Sequence, residues 1–239
     1  MRSVRLDPAI GMIVQLVLLT ILSTTVDLAV AGWVTGIAYG LIMWAVLTRG
    51  LHQVGLRGLG PANWVTLTRA TLVGCVAALT ADSFSQDISI RVLVVIATSA
   101  LMLDAVDGYV ARRTGTSSAL GARFDMEVDA FLILVLSVYV ARSTGGWVLA
   151  IGAMRYAYLV ATWAFVWMRG SAPPRYWNKV VAAIQGVVLT VVAADVLPEP
   201  LEVTAVVAAL ALLVESFGRE VLWLWSRAGY GRQATERIR

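Results

Sequence analysis

Apolar runs recur along the whole chain, and their lengths limit the possible folds more than any other feature. Eight stretches, at about residues 9–26, 29–48, 63–81, 90–111, 119–141, 146–168, 177–196 and 201–225, approach the roughly 20 residues that a helix needs to cross a bilayer. Of the 239 residues 59% are hydrophobic and 14% charged, where a soluble domain carries about 25% charged residues. The fold class expected is therefore all-α, a polytopic integral membrane protein of about eight spans. A removable signal peptide is the disfavoured alternative. Ala29-Val30-Ala31 resembles a cleavage site, but the preceding run is longer than a usual signal-peptide apolar region.

The charges between the runs give an orientation. With eight spans, one side collects Arg2, Arg5, Arg49, Arg57, Arg112, Arg113, Arg123, Arg169, Arg175, Lys179 and the arginines of the tail. The other side holds Asp82, Asp87, Asp195, Glu199 and Glu202, with only Arg91 and Arg142 against them. By the positive-inside rule the basic side is cytoplasmic, which puts both termini there in a multi-pass protein of the cell membrane. Basic residues spread over loops in this way carry the net charge of +4 as an orientation signal and do not point to nucleic acid. One cysteine, Cys75, excludes an intrachain disulfide, and one histidine, His52, excludes a multi-histidine metal site.

Against this background, residues 104–129, DAVDGYVARRTGTSSALGARFDMEVD, stand out. Asp104, Asp107, Gly108, Ala111 and Arg112 share one helical face; after the turn-like RTGTSS, so do Gly121, Asp125 and Asp129. Two facing helices would bring the four aspartates together, and clustered carboxylates need cations to balance them. Oxygen ligands without Cys or His suit Mg²⁺, Mn²⁺ or Ca²⁺. Gly108 lets a ligand approach the helix closely, Ala111 keeps the stripe shallow, Arg112 suits a phosphate, and Gly121 suits close helix packing. Glu127 points away from the aspartate stripe, and Arg113 and Arg123 read as interface anchors.

The spacing D-x2-D-G-x2-A-R-x8-G-x3-D-x3-D resembles the signature of the CDP-alcohol phosphotransferases, with all eight positions filled. The resemblance implies a six-helix core at about residues 63–225. An accessory hairpin at 1–48 and an amphipathic interfacial segment at 49–62 precede it, and a polar, frayed tail at 226–239 follows. It also implies an Mg²⁺- or Mn²⁺-dependent transferase, commonly dimeric, with two ions held by Asp104, Asp107, Asp125 and Asp129, and with Asp129 also the general base. Gly108, Ala111 and Arg112 would face the nucleotide. Asn63, Thr66 and Arg69 match the family's N-x2-T-x2-R opening of the first core helix, which contributes to the nucleotide pocket; Asn63 by itself also suits a helix N-cap. The donor implied is CDP-diacylglycerol, the acceptor an alcohol in the bilayer or the cytoplasm, and CMP the leaving group.

For the acceptor, Arg155, Arg175 and Lys179 fall on the cytoplasmic half and suit a phosphorylated alcohol. Lys179-x5-Gln185 resembles a pattern of phosphatidylglycerophosphate and related cardiolipin synthases, although NKVVAAIQ lacks the further Lys and Thr often found there. This favours glycerol 3-phosphate or phosphatidylglycerol, with inositol phosphate next. The plainer readings are a snorkelling Lys179, a packing Gln185, and Arg155 paired with Glu215 or another acid. Of other classes, an intramembrane prenyltransferase would carry a second Asp-rich motif, and a cation transporter or scaffold would ignore CDP.

Overall fold

A computed structural model describes the backbone of residues 6–54, 60–114, 119–170 and 176–236, and side chains within 7–53, 60–106, 120–170 and 177–226 except at 61, 62, 166 and 169. Every described element is helical: α1 (Leu6–Val26), α2 (Val30–Val54), α3 (Pro61–Asp82), α4 (Ile90–Thr114), α5 (Ala119–Thr144), α6 (Leu149–Ala164), α7 (Tyr176–Ala193) and α8 (Glu199–Glu236). Short 3-10 turns, Gly146–Val148 and Val166–Arg169, flank α6. Each apolar run of the sequence thus becomes one helix. Four helices among the described residues are long and apolar enough to cross a membrane: α1, α2, α3 and α8. The acidic half of the motif interrupts α5, and α6 has 16 residues. The several apolar helices are those of a multi-pass membrane protein.

Three boundaries differ from the sequence reading. Asn63 is not the N-cap of α3; Gly60 is, with Pro61 filling the first helical position, where its missing N–H costs nothing. Residues 49–54, read as the start of an interfacial segment, continue α2 without a break, with Leu51 fully buried and His52 exposed. Residues 55–59 lie outside the described residues. The tail does not end the eighth helix at 225; α8 runs on to Glu236 and counts 38 residues. At 1.5 Å per residue it is about 57 Å long, well beyond the roughly 30 Å hydrocarbon core.

The packing is centred on α3, which lies against α1, α2, α4 and α5. Its membrane-span window is 72% buried inside the protein, against 22% for α1 and α8 and 28% for α2. It is thus an inner helix, and the other three present much of their surface outward. Its buried side, Val73, Val76, Ala77, Ala78 and Leu79, is mostly small, which lets four neighbours come near. On α2, Gly36 and Gly40 do the same for α1. A Cβ at Gly36 would stand 2.6 Å from Leu19, and one at Gly40 2.8 Å from the Met12 sulfur.

Asp82, placed by the sequence among the acids of the outer side, has a structural task there. It is completely buried at the end of α3. Its carboxylate accepts the backbone N–H of Ala29 at 2.6 Å and of Gly32 at 2.5 Å, satisfying donors at the start of α2. The intervening turn bends at Asp27, whose φ is +52° and whose carbonyl accepts a hydrogen bond from Gln86. The first two helices are therefore fastened to α3 at its C-terminal end as well as along its length.

Candidate functional site

Asp104 stands in the last three turns of α4, and Asp125 and Asp129 stand one turn apart near the start of α5. An oxygen from each comes within 4.8 Å of the others. Among the described residues α4 and α5 pack chiefly on α3 rather than on each other. The two motif helices thus bring three of the four aspartates to one point, and a third helix, α3, packs against both and contributes a side chain to the cluster.

That side chain is Arg69. Its Nη1 binds Asp104; its Nη2 binds Asp125 at 2.5 Å and Asp129 at 3.0 Å, and also reaches the Asp125 carbonyl at 3.2 Å. The Arg69 side chain is 1% exposed, whereas the three carboxylates are 34–41% exposed. The guanidinium is the floor of a shallow bowl and the carboxylates are its rim. Arg69, expected to contribute to a nucleotide pocket, thus has three carboxylates as partners of its terminal nitrogens, the charge-assisted bonds that a buried guanidinium needs. Asn63 and Thr66 are buried on the same stripe of α3, at 6% and 2% exposure, about two turns and one turn before it.

The donor set fits a hard divalent cation: carboxylate oxygens from two helices, with neither His nor Cys among them. Cys75 is buried elsewhere along α3. Asp107, Gly108, Ala111 and Arg112 continue the backbone of α4, but their side chains lie outside the described residues. Gly121 is buried in the first turn of α5.

Of the four residues read as an acceptor site, Arg155, Lys179 and Gln185 are among the described residues. Arg155 on α6 pairs with Glu127 of α5 and lies 3.0 Å from the Met126 sulfur. The acid that holds it is thus Glu127, not Glu215, which pairs with Arg219. Gln185 is fully buried on α7 and donates to the Ala209 carbonyl of α8 at 2.8 Å, a helix-packing contact. Lys179 is exposed near the start of α7. Arg175 lies outside the described residues.

A polar network across α6, α7 and α8 was missed. Glu220 accepts from the Tyr158 hydroxyl at 2.8 Å and from the Asn178 amide at 3.4 Å; Ser216 donates to Asn178 at 3.1 Å, and Trp177 to Glu215 at 3.0 Å. Its one trace in the sequence is the acidic pair Glu215 and Glu220 ending an apolar run, with nothing to say which residues of α6 and α7 would meet it.

Comparison with known proteins agrees with the site. The family model for CDP-alcohol phosphatidyltransferase matches residues 60–216. Neither the curated proteins nor the solved structures return a match. The matched region begins at the N-cap of α3 and ends inside α8, so it takes in Arg69 and the three carboxylates, and stops short of Glu220. A match over well more than half of the chain, enclosing this acidic bowl, shows that the protein belongs to the CDP-alcohol phosphatidyltransferase family.

Proposed function

We propose that the protein moves a phosphatidyl group from CDP-diacylglycerol to an alcohol, releasing CMP, as a step of phospholipid synthesis. The family as a whole transfers phosphate-containing groups from CDP-alcohols and depends on divalent metals. The observation that carries the finer reading is the convergence of Asp104, Asp125 and Asp129, from two helices, on one accessible point. Asp107 completes the ligand set, one helical turn from Asp104, and two Mg²⁺ or Mn²⁺ ions would be held. Bound divalent ions supply charge neutralisation of the diphosphate and of the departing CMP.

The chain's own residues do the rest. Arg112, Gly108 and Ala111 line the nucleotide side of α4, with Asn63 and Thr66 opposite on α3. Asp129 takes the proton of the acceptor hydroxyl as its oxygen bonds to the β-phosphorus. The bond from that phosphorus to the CMP oxygen breaks, and the phosphatidyl group is carried off on the acceptor. A glycerol-phosphate-type acceptor is favoured, reached from the side of Lys179 and Arg175. The eight helices would all cross or enter the cell membrane, with both termini and the carboxylates on the cytoplasmic side, as the arginine distribution supports. Residues 63–225 would be the catalytic core, and the working unit a homodimer.

Purified protein with Mg²⁺, CDP-diacylglycerol and a panel of acceptors tests this by CMP release. The expected outcome is release stimulated by one acceptor, glycerol 3-phosphate first. No release with any acceptor would overturn the substrate assignment. Asp129→Asn is expected to lower turnover at least about 100-fold, within the usual worth of a general base, with an unchanged thermal midpoint. Wild-type rates in that variant would remove the base from Asp129.

A further inference from the structure

We propose that Arg69 is a positioning residue of the cation site, a permanent partner that holds Asp104, Asp125 and Asp129 convergent from below while an ion is taken from above. The proposal rests on reading those carboxylates as metal ligands. Three observations carry it. The guanidinium lies beneath the acids, 1% exposed against their 34–41%, so an ion arriving from the open side meets carboxylates first. Arg69 reaches all three acids, which come from two helices, through its two terminal nitrogens. It is also tied to the Asp125 backbone carbonyl, a bond that a departing side chain would give up.

The alternative is a plug, in which the guanidinium leaves when the ion enters. Leaving would strand a buried positive charge inside α3, a costly outcome. Staying keeps carboxylates from two separate helices aimed at one point despite their mutual repulsion. The forked geometry matters more than the charge, because an ammonium is a point charge that cannot span three acids on two sides at fixed angles. Partners that orient metal ligands in this way are worth 10- to 100-fold in metal affinity.

The test is Mn²⁺ binding to the full-length protein in micelles, followed by the electron paramagnetic resonance of free Mn²⁺, for wild type and Arg69→Lys. The lysine keeps the positive charge and loses the fork. A loss of affinity of about tenfold or more, with the thermal midpoint retained, is expected. Equal affinity in a folded Arg69→Lys protein would overturn the proposal while leaving the metal reading intact. Absence of Mn²⁺ binding in the wild type would overturn the metal reading itself. A wild-type structure with Mn²⁺ bound decides the matter even if the variant does not fold: Arg69 should remain within hydrogen-bonding distance of the three carboxylates, and its departure would establish the plug.

Discussion

Gln15 shows how a single residue can work against the apolar interior that surrounds it. It is 1% exposed on α1, its amide lies where Gly74 of α3 leaves room, and neither its nitrogen nor its oxygen has a hydrogen-bond partner. An amide buried without partners costs about 1–3 kcal/mol. Replacing it by a hydrocarbon of similar volume removes that cost, so Gln15→Leu is expected to raise the thermal midpoint in micelles. A lowered midpoint would mean that a bound water or lipid oxygen satisfies the amide. Arg69 is the contrasting case, a buried polar group whose two terminal nitrogens are both engaged and whose Nε alone lacks a partner among the described residues. In the sequence Gln15 is a lone polar position in an apolar run, whereas Arg69 follows Asn63 and Thr66 at helical spacing. What separates them is the company that other helices bring.

At the level of elements, the start of α2 depends on a group 50 residues away. The donors at Ala29 and Gly32 would be unsatisfied in the membrane without Asp82. A side chain at Gly32 would crowd this contact, since a Cβ there would stand 2.7 Å from Leu28 and 2.8 Å from the Asp82 carboxylate, and one of them would have to shift. Asp82→Ala is expected to lower stability by about 1–2 kcal/mol, the usual worth of a helix cap, measured as a drop in thermal midpoint. No drop would show that water or headgroups cap α2 equally well. Helix existence was legible throughout, because a 20-residue apolar run has few alternatives in lipid. Helix ends were less so. The sequence reading closed α2 at 48 and α8 at 225, where polarity rises, but polarity marks the membrane surface and a helix can continue past it.

For the whole molecule, the question is whether the first two helices are an accessory. The family match begins at residue 60, just after them. Yet α1 and α2 cover one side of α3, Gly11 of α1 fits against Leu67, and Tyr39 of α2 stacks on Phe131 of α5 with ring centroids 4.9 Å apart. Phe131 is two residues from Asp129. Deleting residues 1–59 would expose the small-residue face of α3 and take the backbone N–H groups of Ala29 and Gly32 from Asp82. The truncated protein is expected to lose a cooperative thermal transition and CMP release together; retention of CMP release would make the hairpin an accessory after all.

The sequence by itself determined the all-helical class, the existence and approximate start of each helix, and the acidic motif. These follow from periodicity and from spacing inside one or two neighbouring helices, which local geometry fixes. Tertiary structure alone decided that α4 and α5 both pack on α3, that Arg69 lies under the carboxylates, that Glu127 holds Arg155, and that Asp82 caps α2. The residue pairs that do this lie 28 to 60 positions apart. A pairing at that range depends on which helices become neighbours, and in an apolar medium many helix arrangements bury similar surface, so the run of hydrophobic residues leaves that choice open.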